Sequence, residues 1–453
     1  MYVLTSCKCY YTACKISHNN PNNEKIIGVS ALKYGHVRWY DFCNACCVNI
    51  FRALSHRNYR LHFTGQAISL MGTWMQRIAV SWLVYRLTES ALVLGVISFV
   101  SLIPSLVLSP FIGSFVDRHQ KYRIVLITQI GLMLQAGGLA GMVFFGYYNI
   151  WWIGVLSLAQ GIINTFDVTA RQSLMVELVD NKADLPNAIA LNSSAFNAAR
   201  MLGPALGGIL LSAYGEAVCF GINFISFLAV IASLLLMRLN PIKPIVSKES
   251  TWHGLKEGFS YLRHSPHLSS LILLLSTSSL LVIPYATLLP VIAREMFSGD
   301  ATTFSWFESA AGLGAMAGAI YMARTQMGTN LRFRVMKASG LLAAGILVLS
   351  FAEWLPMALA STLLASMGTM VQNSSINTYI QTHAMPIYRA RAISYYIMAF
   401  QGIFPLGSLL VGAMASAWGI HYTLLIQGVA GALVATSFMV YIWQHINRKY
   451  VPV

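Results

Sequence analysis

Two arginines, Arg77 and Arg200, lie inside long apolar segments of the chain. A charged side chain at the centre of a bilayer costs about 2.5 to 3.5 kcal/mol on insertion scales, so each arginine indicates a polar ligand or a buried acidic partner. Gln76 precedes Arg77, and Ser193 and Asn197 share a helical face with Arg200. These five side chains predict a path for an anionic or phenolic small molecule. The alternative for each arginine is a structural ion pair.

Two acids in other apolar segments, Asp167 and Glu308, are candidates for carrying protons. Proton coupling needs a group that alternates between its charged and protonated forms. Asp167 has a structural alternative, an ion pair with Arg171 one turn further along the helix. Glu308 could instead be the buried partner of Arg77. Both acids are therefore predicted coupling residues with a structural role left open.

The segments that hold these residues are predicted membrane-spanning helices. The chain has 453 residues, of which 56% are hydrophobic and 10% charged, and its mean hydropathy is +0.61. Soluble domains carry charge on about a quarter of their residues, and a spanning helix needs about 20 apolar residues. Twelve apolar segments of sufficient length occur, at 61–86, 89–116, 122–146, 149–170, 186–214, 216–237, 267–293, 303–323, 334–352, 354–381, 390–416 and 419–444.

The net charge of +15 is explained by topology. If both termini lie on one side, 26 of the 30 Lys and Arg residues fall in the tails and loops of that side. Basic loops stay in the cytoplasm. The distribution predicts a multi-pass protein with both termini cytoplasmic, and it argues against a nucleic-acid surface.

The chain also contains an internal repeat. At an offset of 204 residues, 195–215 aligns with 399–419, so the fifth and eleventh predicted helices correspond. The pattern predicts an all-α membrane protein of two pseudo-repeated six-helix bundles. The identical positions include three glycine pairs, namely Gly203 with Gly407, Gly208 with Gly412, and Gly215 with Gly419.

The predicted domains follow from this repeat and from the polar stretch between the sixth and seventh segments. We expect a six-helix bundle at 49–238, a cytoplasmic linker at 239–266 and a second bundle at 267–453. Residues 1–48 hold six of the seven cysteines and no continuous apolar segment, so we expect a poorly structured extension. A zinc site there is an alternative, but the cysteines lack regular paired spacing, and no metal site is predicted.

The loop after the second predicted helix carries a glycine, an Asp-Arg pair and two further basic residues: Gly113, Asp117, Arg118, Lys121 and Arg123. This string resembles the signature of the major facilitator superfamily in the same loop, although Gln120 stands where the signature has a second glycine. The resemblance implies the major facilitator fold and a conformational latch. Asp117 can cap a helix or pair with an arginine, and so hold one state until it is released.

The fifth predicted helix carries small residues and a proline in the order Gly203, Pro204, Gly207, Gly208. This string resembles the fifth helix of exporters in the superfamily. Small residues on one face permit close helix packing, and Pro204 is expected to kink the helix. Packing alone is the alternative to a role in transport.

Further strings, at 58–77, 81–85, 170–174 and 185–188, resemble the enterobactin-exporter branch of bacterial transporters, also called transmembrane secretion effectors. The resemblance covers about residues 50 to 445. It implies a secondary exporter in the bacterial inner membrane that moves siderophores, drugs or similar amphipathic molecules against protons by alternating access.

An enzyme is the alternative class, but the sequence contains no phosphate-binding loop of the Gly-x-x-x-x-Gly-Lys-Ser/Thr type and no His-Glu-x-x-His metal motif. We therefore expect no enzymatic activity and no cofactor. The expected partners are a small-molecule substrate, protons and the lipid bilayer, and the protein is expected to act as a monomer. An importer of a small metabolite with the same fold remains open, because a fold does not fix the direction of transport.

Overall fold

A computed structural model describes residues 51–181, 184–238, 251–324, 331–385 and 388–447. Within these ranges the chain forms helices, turns and loops, without a strand. The predicted extension at 1–48 and its cysteines lie outside the described residues.

The first half begins with a 3-10 turn, Arg52–Ser55, and continues with six helices. They are α1 (Arg57–Thr88), α2 (Ala91–Asp117), α3 (Lys121–Phe144), α4 (Ile150–Leu178), α5 (Leu185–Tyr214) and α6 (Glu216–Leu235).

The second half is preceded by a short helix in the predicted linker, and two of its membrane crossings are broken. Its helices are α7 (Thr251–Arg263) in the linker, α8 (Pro266–Leu281), α9 (Ala301–Arg324), α10 (Leu331–Ser350), α11 (Leu355–His383), α12 (Arg389–Ile397), α13 (Phe404–Trp418) and α14 (Ile420–Asn447). The crossing that starts with α8 continues as a 3-10 turn, Ile283–Leu288, and a π turn, Ile292–Met296. A π turn, Met398–Gly402, separates α12 from α13.

Nine stretches of the described chain are long and apolar enough to cross a membrane. Three further helices of at least 24 residues, α1, α5 and α9, fall outside that set. They carry Arg77, Arg200 and Glu308, respectively. Together the crossings are consistent with the predicted twelve, and the three outside the apolar set hold two predicted path arginines and one coupling candidate.

The repeat predicted between α5 and α13 is visible in how each helix packs within its own half. A Cβ at Gly203 would meet the Trp74 side chain in α1, and a Cβ at Gly407 would meet the Leu280 carbonyl in α8. Since α1 and α8 begin the two halves, the glycines occupy equivalent places. Both positions require the absence of a side chain because the neighbouring helix lies against the backbone.

The same helices make equivalent contacts between the halves. Gly208 of α5 lies against Ser305 of α9, and Gly412 of α13 lies against the Ala91 carbonyl of α2. Each helix therefore uses one glycine for its own half and a second glycine, five residues later, for the other half.

The ends of α5 and α13 also match. Gly215 follows α5 with φ +79°, and Gly419 follows α13 with φ +81°. Glycine adopts this left-handed region without the steric cost that a Cβ imposes, so the same residue type ends both helices.

The apolar core shows how the two halves are joined. We call the end of the bundle at which α1 begins the basic end, and the other the opposite end. At the opposite end one buried cluster includes Trp82 and Leu94 from the first half and Phe304 and Val411 from the second. At the basic end the halves have separate clusters. The bundle is thus closed at the opposite end, and the halves part towards the basic end.

One aromatic contact and two hydrogen bonds also join the halves at the opposite end. The Trp82 and Phe304 rings stack with centroids 6.0 Å apart. The Tyr85 hydroxyl donates a hydrogen bond of 2.8 Å to Glu295 Oε1, and the Leu92 amide donates one of 2.9 Å to Ser416 Oγ. All three contacts join the first half to the second.

Candidate substrate cavity

The predicted site residues Arg77, Arg200 and Glu308 interact electrostatically where α1, α5 and α9 face one another. The Arg200 charge interacts with Arg77, Glu308 and Tyr285, and the Glu308 carboxylate interacts with both arginines. Arg77 is exposed, Arg200 and Glu308 are partly exposed, and Tyr285 is buried. Two guanidinium groups thus lie within electrostatic range of one carboxylate.

Aromatic side chains flank the two arginines. The Arg77 guanidinium lies 5.2 Å from the centre of the Trp74 ring, a distance at which the ring face attracts a cation. Trp74 packs edge-on against Phe196 with centroids 5.9 Å apart, and Phe196 is 45% exposed. The sequence interpretation missed both rings, although they precede Arg77 and Arg200 by three and four residues, the spacing of neighbours on a helix face.

The α5 face predicted to extend from Arg200 is exposed at Ser193 and Asn197. The Asn197 amide donates a hydrogen bond of 2.8 Å to the Ser193 carbonyl, so its oxygen remains available. These two side chains and Arg200 form a polar stripe that approaches the middle of α5 from the basic end.

Gln76 is placed differently from the other path residues. It is 1% exposed and lies in a network of buried amides. Its Nε2 donates to Gln135 Oε1 at 2.9 Å, and its Oε1 accepts from Asn223 Nδ2 at 2.7 Å. These bonds tie α1 to α3 and α6, so Gln76 holds the helix that carries Arg77.

Asp167 lies in a second buried polar group, within the first half near the basic end. Its carboxylate pairs with Arg171, as the structural alternative predicted. Its Oδ1 also accepts from Thr128 Oγ1 at 2.9 Å and from Gln129 Nε2 at 2.7 Å. His62 of α1, which is 1% exposed and interacts electrostatically with Arg171, was not singled out from the sequence.

The small residues of α5 are buried where other helices approach. Gly203 and Gly207 lie against α1, the latter at Met75, and Gly208 lies against α9. Pro204 is also buried, and α5 continues through it as one helix. The glycines serve packing, both within the first half and between the halves.

The predicted latch lies at the short connection between α2 and α3. Asp117 ends α2 and Lys121 begins α3. Lys121 Nζ lies 2.7 Å from Glu177 Oε1 of α4, while Arg118 and Arg123 are exposed. The Asp117 side chain and the burial of Gly113 lie outside the described part of the structure, so the latch stays a prediction.

Curated relatives with similar sequences are transporters. The chain is 25% identical over 394 residues to the staphyloferrin A transporter of Staphylococcus aureus, covering 85% of this chain and 96% of that one. It is 23% identical to the multidrug efflux pump Tap of Mycolicibacterium fortuitum, over 78% of this chain and 88% of Tap. It is 22% identical to macrolide efflux protein A of Streptococcus pyogenes, over 82% and 94%.

Solved structures with the same fold are also transporters. A bacterial homolog of the human lysosomal transporter Spinster, in an inward-facing and unoccupied conformation, matches with a TM-score of 0.68 at 12% identity. The match covers 87% of this chain and all but 1% of that one. Residues 49–448 match the family described as transmembrane secretion effector. The chain therefore belongs to the transmembrane secretion effector family of major facilitator transporters.

Proposed function

We propose that this protein is a proton-coupled exporter of small amphipathic molecules that works by alternating access. The two halves rock about the charge cluster where α1, α5 and α9 face one another. The described conformation, closed at the opposite end, is the one that loads substrate from the basic end. With basic loops in the cytoplasm, both termini and the linker at 239–266 lie in the cytoplasm of a bacterial cell, and the plasma membrane holds the protein as a monomer.

The observation that carries the proposal is the charge cluster shared by the halves. Arg77 and Arg200 come from the first half and Glu308 from the second. Rocking of the halves must change the spacing between this acid and the arginines. A ligand or a proton that binds the cluster differently in the two states therefore shifts their equilibrium.

The net charge of the cluster decides which substrates compete with protons. It is +1 when Glu308 is ionised and +2 when Glu308 is protonated. A molecule that donates a hydrogen bond to the Glu308 carboxylate and accepts one from Arg200 binds more weakly when Glu308 takes a proton, because the first bond loses its charge assistance. Proton and substrate then compete, which is the requirement for exchange.

The proposed substrates therefore carry both an acidic or phenolic acceptor and a hydroxyl or amine donor. The siderophore named for the Staphylococcus aureus relative and the macrolides named for the Streptococcus pyogenes relative indicate the size and mixed polarity to test. Trp74 and Phe196 offer faces for the apolar part of such molecules.

The net positive charge of the cluster also supports a second candidate function, which is import. A purely anionic molecule binds more tightly when Glu308 is protonated, and it then travels in the same direction as the proton. The pH dependence of substrate binding separates the two: acid weakens binding in the exporter and strengthens it in the importer.

The test is gradient-driven uptake into inverted membrane vesicles with an acidic interior. Staphyloferrin A and a macrolide are the probes, and the variants are Arg200→Ala, Arg200→Lys and the control Arg294→Ala, an exposed arginine at the opposite end. We expect uptake by the wild type and the control, and loss in Arg200→Ala by about tenfold or more, the effect of one charge-assisted hydrogen bond. Uptake that is equal with and without the pH gradient contradicts the proposal.

A further inference from the structure

A groove on the flank of the first half lies outside the substrate cavity. It is formed by α2, α3 and α4 near the basic end and has a volume of about 740 Å³. Its wall is apolar and includes Phe115, Ile127, Ile162, Gly131 and Phe166. Ile127 is 68% exposed and Phe115 45%, so the groove opens on the outer surface of a helix bundle that lipid surrounds.

The rim of the groove at the basic end is positively charged. Arg118 follows α2 and Arg123 lies in the first turn of α3, and both line the groove and are exposed. His119 stacks on the Phe115 ring with centroids 4.1 Å apart, and its Nδ1 lies 2.8 Å from the Phe115 carbonyl. Two guanidinium groups and one ordered imidazole thus meet above an apolar wall.

The vertical order of these residues matches a membrane leaflet. Arg123 and Gly131 are separated by eight helical residues, or about 12 Å along α3. Arg123 therefore lies at the depth of lipid headgroups when Gly131 lies within the hydrocarbon. At Gly131 the missing side chain leaves room beside Ile163, which a Cβ would approach to 3.1 Å.

We propose that this flank groove binds one anionic phospholipid of the leaflet on the basic side. The phosphate accepts hydrogen bonds from Arg118 and Arg123, since guanidinium groups bind phosphate oxygens in pairs. One acyl chain follows the wall from Phe115 past Ile127 to Gly131. The leaflet that faces the cytoplasm is the one that carries anionic lipids in excess.

The site joins the lipid to the predicted latch, because Arg118 and Arg123 belong to both. A bound phosphate holds the end of α2 against the start of α3 from the lipid side. The groove is nevertheless a different site from the charge cluster, since its lining does not include Arg77, Arg200 or Glu308.

The experiment counts lipids on the full-length protein. Protein is taken from nanodiscs of phosphatidylglycerol and phosphatidylcholine in equal parts, and native mass spectrometry counts the retained lipids. The wild type is expected to retain one phosphatidylglycerol in preference to phosphatidylcholine. Arg118→Gln and Arg123→Gln should each reduce that preference about fivefold, the effect of one basic residue near an anionic surface. Ile127→Trp, which fills the groove, should reduce retention with both arginines in place.

Two matched variants serve as controls. Arg263→Gln removes an exposed basic-end charge that does not line the groove, and Ile225→Trp enlarges an apolar residue on α6 that is 63% exposed. Both should retain the lipid as the wild type does. Equal loss in either control, or full retention in Ile127→Trp, overturns the proposal. Displacement of the lipid by millimolar glycerol phosphate also overturns it, because the site would then recognise a soluble phosphate.

Discussion

Gly208 is the position where a single added methyl group should move the conformational equilibrium furthest. In the described conformation a Cβ at Gly208 would occupy the space of the Ser305 Cβ and Oγ atoms. This contact joins α5 to α9 and therefore the first half to the second. In the open state that the proposed alternating access requires, the two helices separate at this contact, so we expect Gly208→Ala to be unfavourable only in the closed state.

The size of the effect follows from packing. Overfilling a well-packed contact costs about 1 to 3 kcal/mol, and a differential cost of that size shifts a two-state equilibrium about 5- to 150-fold. Replacing glycine by alanine also favours any helix by up to about 1 kcal/mol, but that gain is the same in both states. Gly221→Ala is the matched control, because a Cβ at Gly221 has no described neighbour within 4 Å.

The assay measures the separation of the halves at the opposite end. Spin labels are placed at Tyr147→Cys in the first half and Trp354→Cys in the second, where the native side chains are 56% and 62% exposed. The seven native cysteines are replaced by serine beforehand. Double electron–electron resonance should show a short distance for the parent protein and for Gly221→Ala. Gly208→Ala should show a second, longer distance, whose population relative to the short one rises by that 5- to 150-fold factor.

A compensating substitution at Ser305 tests whether this contact causes the shift. Ser305→Gly removes both side-chain atoms that the new methyl group meets, so Gly208→Ala with Ser305→Gly should recover the short distance. Ser305→Ala keeps the Cβ atom and should recover it only in part. If Gly208→Ala gives the same distances as Gly221→Ala, or if Ser305→Gly does not restore them, the assignment of this contact as the closed gate is wrong.

Three further predictions concern other parts of the molecule. Gln76→Ala leaves the Asn223 amide buried without its acceptor and should destabilise the folded protein by about 1 to 3 kcal/mol, seen as a lower melting temperature in detergent. A hydrogen bond to Asp184 raises the pKa of His56 from its usual 6.5. The contact therefore stabilises the folded protein fully below about pH 6.5, and this stabilisation is lost as the pH rises through the raised pKa. His56→Gln should lower the melting temperature at about pH 5.5 and leave it unchanged at about pH 9. Asp117→Ala should reduce turnover more than substrate affinity, and an equal loss of affinity would assign Asp117 to substrate binding.

Much of the fold could be predicted because membrane helices must be long and apolar. The glycine pairs of α5 and α13 were also visible, since close backbone approach permits few alternatives to glycine. The breaks after α8 and before α13 were missed because a broken crossing and a continuous helix have similar segment length and hydropathy. Pro284 and Pro405 lie at the first turns after those breaks, where proline lacks the amide hydrogen that would bond back to the preceding turn.

The site was only partly predictable, because a sequence gives the face of a helix but not its neighbours. Charge in apolar segments identified Arg77, Arg200 and Glu308, which the fold brings together from three helices. Gln76 was predicted to line the path for the same reason. Its side chain instead lies towards α3 and α6, where it forms hydrogen bonds with two other amides. His62 gave no signal, because one histidine in an apolar segment is more often a packed side chain than a functional one.

Proton movement driven by substrate tests proton-coupled exchange at Glu308. Purified protein is reconstituted in vesicles that contain a trapped pH-sensitive dye, and staphyloferrin A or a macrolide is added outside. The variants are Glu308→Gln and Glu353→Gln, an exposed acid in the loop between α10 and α11. We expect substrate-dependent proton movement opposite to the substrate in the wild type and in Glu353→Gln, and none in Glu308→Gln. Unchanged proton movement in Glu308→Gln, or protons that move with the substrate, would contradict proton-coupled exchange at Glu308.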